Sequence, residues 1–522
     1  MVTASKERTP LLESQEVPGL EDTSGPSKPI KLERTVGVLS ASAIVFGNCV
    51  GAGIFISPRG VYEKAGSAGS GLIIWGLCGL VATLCTLAYA ELGTMMQESG
   101  GEFVYIKNTY GKFPAFLFSF CNAFLIKPAA LTVTVITFSD YLAALIWGEG
   151  VTQIMVKSIT ASAIVLLTVL NIVSAKLVIK FCSIISALKV LMVGFLLACG
   201  VVIIVKGKGH FENFSPATAF ENTSTNPSDY GLSFLFCSFS FQSWNSLNFM
   251  TEELKSPTTT LPRGGFLGMA AVTLAYILAN ISYLMMFSVS GIIDSKTIAM
   301  DSGHLAFGKV GELIMCIGLL LSCLGSVSGG MMCISRNIQS TAEVGLFPKW
   351  MAGISPTFNT PVPSIITLGT MQLAYLFVDT TTLIPCLASV EWFFYCVTFS
   401  CLIYLRYTEP KNYRPFKVPL PVSVLLFIVT GTCVLLPLFS SDRYTVILGF
   451  ATLPLGSTLY IAMKCYIKHR SSCSALVVSD HSSTEGSLFS TSYGSGDSVP
   501  ITLKEKVRKG KEEGLNVKQS QN

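Results

Sequence analysis

The chain has 522 residues, of which 50% are hydrophobic and only 13% charged. A soluble protein carries about 25% charged residues, so this deficit, with a mean hydropathy of +0.58, excludes a soluble globular protein and reads as a polytopic membrane protein. The net charge of +5 does not point to nucleic acid, because the basic residues are spread over short loops and tails rather than clustered.

Residues 1–36 are polar, with Pro, Ser and mixed charges, and read as a disordered cytosolic tail without a signal-peptide pattern. Within it, Glu7-Arg8-Thr9-Pro10-Leu11-Leu12 resembles a dileucine sorting signal for endosomes or lysosomes, a short pattern that also arises by chance. Residues 37–465 read as the membrane domain. A helix needs about 20 apolar residues to cross the hydrocarbon core. Twelve such stretches fall near 38–62, 70–95, 114–145, 153–174, 179–205, 230–253, 264–291, 308–338, 362–378, 382–406, 421–439 and 444–465. Residues 466–522 are Ser/Gly-rich and then Lys/Glu-rich, and read as a second disordered tail.

An even number of spans places both tails on one side. Lys and Arg are denser before the first span and after the second, fourth, sixth, eighth, tenth and last than in the alternate loops. The positive-inside rule therefore makes both termini cytosolic. The 206–228 loop is then external, and it carries Asn222-Thr223-Ser224 and Asn213-Phe214-Ser215, two matches to a glycosylation sequon. The 16 cysteines lie almost wholly in apolar stretches and read as buried small hydrophobes, so no structural disulfide is expected. No Cys/His spacing suits a metal, and neither a metal nor another cofactor is expected.

The first span contains Gly47-Asn48-Cys49-Val50-Gly51-Ala52-Gly53-Ile54-Phe55. Each glycine weakens a helix by about 1 kcal/mol relative to alanine, and the hydrocarbon core offers no water to freed backbone groups. Such a break is tolerated where it lines a cavity, and in transporters breaks of this kind hold the substrate. A second interruption, Ser238-Phe239-Ser240-Phe241-Gln242-Ser243-Trp244-Asn245, falls in the sixth stretch, where a lipid-facing helix would not group Gln242, Ser243 and Asn245. Paired breaks at corresponding positions point to a binding site between inverted repeats. An amino acid zwitterion needs both charges paired where water is excluded. The N-terminus of a half-helix suits its carboxylate, with Gly51, Ala52 and Gly53 allowing close approach. Carbonyls freed around Cys49, Phe239 and Gln242 suit its ammonium. The alternative is that Gly51 and Gly53 only permit close helix packing.

These residues carry a resemblance. Gly51-Ala52-Gly53-Ile54-Phe55, Tyr89-Ala90-Glu91-Leu92-Gly93, Ser99-Gly100-Gly101, Trp244-Asn245, Leu247-Asn248-Phe249, Thr251-Glu252-Glu253-Leu254, Ser335-Arg336, Tyr404-Leu405-Arg406 and Arg414-Pro415-Phe416-Lys417-Val418-Pro419 look like the L-type amino acid transporter family. These are the light subunits of heteromeric amino acid transporters, in the amino acid–polyamine–organocation superfamily. The likeness runs in order over residues 32–465. It implies an all-α fold of twelve transmembrane helices, a LeuT-like 5+5 inverted repeat with helices 1 and 6 broken at midmembrane. It implies obligatory exchange of amino acids without sodium. It puts the carboxylate at Gly51, Ala52 and Gly53, an aromatic gate at Phe239 and substrate support at Asn245. Lys189 lies within apolar span five, where a charge costs at least about 2.5–3.5 kcal/mol. By resemblance it stands where coupled relatives hold sodium and bridges the first and fifth helices.

Four departures qualify the likeness. The loop Gly148-Glu149-Gly150-Val151-Thr152 is very short and lacks the cysteine that links light subunits to a single-span glycoprotein heavy subunit, so a partner of that kind would be non-covalent or absent. Lys127 stands where the family usually has arginine, which keeps the charge and loses the fork. Gln242 fills a position that is usually small, and should favour a smaller or polar substrate. Glu391 is an acid inside span ten, and it either faces the site, where it would disfavour anions and could draw in a cationic substrate, or faces the outer vestibule or pairs with Lys127. The leading reading is a sodium-independent exchanger of neutral L-amino acids at the plasma membrane, with an endosomal or lysosomal membrane as the alternative location. The other functional readings are a cationic amino acid or cystine exchanger, and an amino acid sensor or scaffold without net flux. No nucleophile–base pair or phosphate loop supports an enzyme.

Overall fold

The computed structural model describes residues 34–98, 100–439 and 443–465. The dileucine pattern and most of both expected tails therefore lie outside the described residues. The chain divides into two compact units, 1–457 and 458–522, the second described only over 458–465, which is helical.

Unit one is built from helices. In order they are α1 (Val38–Cys49), α2 (Gly53–Ala65), α3 (Ala68–Met95), α4 (Glu102–Tyr110), α5 (Lys112–Cys121), α6 (Lys127–Trp147), α7 (Gln153–Val173), α8 (Ala175–Val205) and α9 (Pro227–Ser240). There follow α10 (Pro257–Met286), α11 (Val289–Asp294), α12 (Ile298–Glu343), α13 (Val362–Tyr375), α14 (Thr380–Thr408), α15 (Leu420–Leu435) and α16 (Arg443–Phe450). Between α5 and α6 the helix widens into a π turn, Asn122–Ile126, so that the two run on as one apolar segment. Gly308 takes φ +64 inside α12, a left-handed conformation open to glycine, and separates a short first arm from the long second one. Thr35 and Val36, at the end of the expected N-terminal tail, are ordered, and both donate backbone N–H groups to the Glu253 carbonyl at 3.0 and 3.1 Å.

Nine helices among the described residues are long and apolar enough to cross a membrane, and the pair α1 and α2, bent by 57° at its break, supplies a tenth. This matches ten of the twelve expected stretches. The two others, 230–253 and 362–378, are helical only over Pro227–Ser240 and Val362–Tyr375, 14 residues each. At 1.5 Å per residue such a helix is about 21 Å long, short of the roughly 30 Å hydrocarbon core. The first is cut short by the polar run after Ser240. Apolarity alone did not predict this, because Phe241, Trp244 and Leu247 keep the average high while the backbone leaves the helix.

α1 and α2 stand at the centre. α1 packs on α10 and α8, α2 on α9, and α9 on α14. The core runs continuously through these helices, and includes Val45, Trp75, Tyr89, Phe241, Tyr276 and Phe399. At one end of the bundle Glu91 on α3 is fully enclosed. It accepts Nε–H of Arg406 at 3.0 Å and an Nη–H of Arg406, an Nη–H of Arg414 at 3.3 Å, and the Val418 N–H at 2.8 Å. Three of the quoted sequence motifs therefore meet in one buried ion cluster. An enclosed carboxylate survives there because each oxygen is paired.

Candidate substrate site

The chain leaves the helix between Cys49 and Gly53 and re-enters it turned by 57°. No side chain caps α2 at Ala52, so its leading N–H groups remain a positive end of the kind that attracts a carboxylate. The two flanking glycines differ. A Cβ on Gly53 would come within 2.6 Å of Ser240 Cα, so Gly53 is required for the contact with the end of α9. A Cβ on Gly51 would meet nothing closer than Ser326 Oγ at 3.7 Å. Packing thus accounts for Gly53 and leaves Gly51 unexplained. Ser326 Oγ is buried and has no hydrogen-bond partner among the described residues.

The carbonyls at the end of α1 are engaged. Lys189, on α8 and only 8% exposed, donates Nζ–H to Gly47 O at 3.4 Å. The structure so joins the first and fifth apolar segments through this lysine. Cys49 O accepts the Tyr276 hydroxyl at 2.8 Å, and the same hydroxyl lies 2.9 Å from Ser240 O, the last residue of α9. One phenol on α10 therefore touches the loose ends of both broken helices. Its sequence signal, a tyrosine within an apolar span, is too common to have singled it out. The Cys49 thiol is buried beside Phe241 O and Met269 Sδ, both at 3.9 Å.

Beyond Ser240 the backbone tightens. Phe241 N–H reaches Ser238 O at 3.1 Å, Gln242 N–H reaches Phe239 O at 3.4 Å, and Ser243 adopts φ +76, uncommon for a residue with a Cβ. The alternating sequence is sorted by this geometry. Phe241 turns into Trp75 and Tyr276, and Trp244 into Tyr89 and Tyr395, with ring centroids 4.6 and 4.9 Å apart. Phe239 is buried in the last turn of α9. Gln242 and Asn245 go instead to acids. Gln242 donates Nε2–H to Glu391 Oε2 at 2.9 Å. Asn245 donates Nδ2–H to Glu102 Oε1.

Glu391 is the junction of three elements. Its Oε1 accepts Lys127 Nζ–H at 3.2 Å, and its Oε2 takes the Gln242 amide. The pair with Lys127, one of the readings of this acid, is present. Lys127 is the residue directly after the π turn, and π turns frequently mark functional sites. The neighbouring Trp392 donates its indole N–H to Ser238 Oγ at 3.0 Å, fixing α14 against the last turn of α9. Glu102, at the start of α4, was not singled out by the sequence, although it follows Gly100 and Gly101 of a quoted motif. It is 1% exposed, and burial pushes its carboxyl up to about 7.

Two broken helices facing one another inside a bundle of apolar spans, with Lys189, Glu102 and Glu391 hydrogen-bonded beside the breaks, define a polytopic membrane transporter. The sequence comparisons name its kind. A profile of the amino acid permease family matches residues 36–470. Human b(0,+)-type amino acid transporter 1 is 32% identical over 419 residues, 80% of this chain and 85% of that one. The human cystine/glutamate transporter is 32% identical over 455 residues, 87% and 88%. Human Asc-type amino acid transporter 1 is 33% identical over 409 residues, 77% of each. The chain belongs to the amino acid permease family.

Proposed function

We propose that this protein is a sodium-independent exchanger of neutral L-amino acids, working by alternating access on a LeuT-like arrangement of twelve spans with both termini in the cytosol. The α-carboxylate binds the uncapped start of α2 at Gly51, Ala52 and Gly53. The ammonium binds backbone carbonyls at the breaks, near Cys49, Phe239 and Gln242. Lys189 substitutes for a sodium ion by donating to Gly47 O. Phe239 gates the site, and Gln242 and Asn245 meet the substrate side chain.

The observation that carries neutrality is the Lys127–Glu391–Gln242 chain. Its single positive and single negative charge are joined at 3.2 Å, so neither is left to attract a charged side chain. An acidic substrate would face Glu391, and a basic one Lys127. The plasma membrane is the proposed location, and a single-span heavy subunit, where one is used, associates without a disulfide because the short loop at residues 148–152 holds no cysteine.

Counterflow of labelled amino acids into proteoliposomes of the purified chain tests this. Internal neutral amino acids should accelerate uptake equally in sodium and in choline buffer, and internal glutamate or arginine should not. Uptake that no internal amino acid accelerates ends the exchanger reading. Binding without flux would make the chain a sensor.

A further inference from the structure

Glu102 is a buried acid satisfied on one side only. Its Oε1 accepts from Asn245, while the equally buried Oε2 has no hydrogen-bond partner among the described residues. An ionised carboxylate would leave a charged oxygen both dry and unpaired there, which costs far more than the neutral acid. The titratable groups facing it come from four elements: Lys127 on α6, Glu391 and Tyr395 on α14, Tyr89 on α3 and Tyr105 on its own α4. Lys127, paired with Glu391, draws the Glu102 carboxyl down and Glu391 pushes it up, and burial outweighs both.

This acid sits inside a closed seam. The Gly100 and Gly101 N–H groups reach Asn248 O at 3.4 and 3.3 Å, and the Tyr105 hydroxyl donates to Asn248 Oδ1 at 3.0 Å. A Cβ on Gly101 would lie 3.1 Å from the Phe249 ring. The start of α4 is thus sealed against the segment just past the α9 break, on the side assigned above to the cytosol.

We propose that a proton on Glu102 holds this seam shut, that opening toward the cytosol releases it, and that exchange is therefore gated by cytosolic pH. The inference rests on the exchanger reading for its transport readout and on the proposed sidedness. In the opening step the carboxyl O–H bond breaks, the proton passes to cytosolic water and the carboxylate is left hydrated. Closure takes a proton back from the same side, so no net proton crosses the membrane. The sign follows from proton binding. The carboxyl titrates at about 7 in the closed seam and near its ordinary 4.3 or so once hydrated. The closed form binds more protons in that window, so closure is favoured as pH falls below about 7 and this bias fades as pH rises through it.

The test uses full-length protein in proteoliposomes, with counterflow of a labelled neutral amino acid at about pH 6 and about pH 8, where a shift of one unit corresponds to tenfold in population. Wild type should run roughly tenfold faster at the higher pH. Glu102→Gln should be slow and equal at both, and Glu102→Asp should restore a pH-dependent profile. Backbone hydrogen exchange over residues 100–110 and 241–250, corrected for intrinsic rate, gives a readout free of transport. Wild type should be better protected at low pH, and Glu102→Gln the same at both. A flat wild-type profile, or pH dependence surviving in Glu102→Gln, overturns the gate. Net proton influx seen with an internal pH dye also overturns it, in favour of proton-coupled transport. Absent counterflow with pH-dependent protection intact would defeat the exchanger reading and leave the gate standing.

Discussion

Gln242, Lys127 and Glu391 divide one task. Lys127 and Glu391 cancel one another, and the Gln242 amide occupies the carboxylate oxygen that the lysine does not reach. Glu391→Gln would remove the negative charge and free the lysine. We expect glutamate to become a competitor of neutral uptake, its apparent affinity rising roughly tenfold, equivalent to about 1.4 kcal/mol. Competition assays in the variant check this, and unchanged selectivity would mean the pair does not face the substrate. The glycines make a second residue-scale prediction. Gly53→Ala forces a Cβ against Ser240 Cα at 2.6 Å, and overpacking of this kind costs about 1–3 kcal/mol. Gly51→Ala has room and should fold normally while weakening substrate binding. Thermal stability of the two variants beside their KM values separates a packing glycine from a binding one.

At the scale of elements, α3 and α14 are joined by Glu91, which is wholly buried between Arg406 and Arg414. Removing one partner of a buried ion cluster leaves uncompensated charge, at a cost of about 3–5 kcal/mol. Glu91→Ala should therefore lower thermal stability sharply, whereas Lys309→Ala should change it little. The Lys309 side chain is 73% exposed although paired with Glu312, and exposed pairs contribute about 0–1 kcal/mol. Melting curves in detergent decide between them. The same scale shows why the sixth expected span comes out short. Hydropathy averaged over a window reports how apolar a segment is. It does not report where the backbone stops repeating, and at Ser240 it stops while aromatic residues continue.

For the whole molecule, the central feature is that α1 is held to α8 by Lys189 on the Gly47 carbonyl. In the proposed cycle this lysine stands in place of a mobile cation, and transport needs no ion gradient. Lys189→Ala should reduce exchange by more than about tenfold, since a buried charge lost from the membrane interior is rarely neutral to function. Sodium added to the variant in counterflow assays should not restore it, and restoration would mean that the lysine only blocks a usable ion site. The sequence by itself determined that this is a polytopic helical membrane protein, that two spans are interrupted, and that Lys189 and Glu391 are charges inside apolar spans needing an explanation. Composition, glycine content and charge inside apolar runs are local properties, and they survive without coordinates. Only the tertiary structure decided that Lys127 and Glu391 are partners 264 positions apart, that Gly53 packs while Gly51 does not, and that Tyr276 and Glu102 lie against the two helix breaks. Pairing of this kind depends on which helix faces which. A sequence read in one dimension carries the charge of each residue but not the distance that makes two charges one neutral pair.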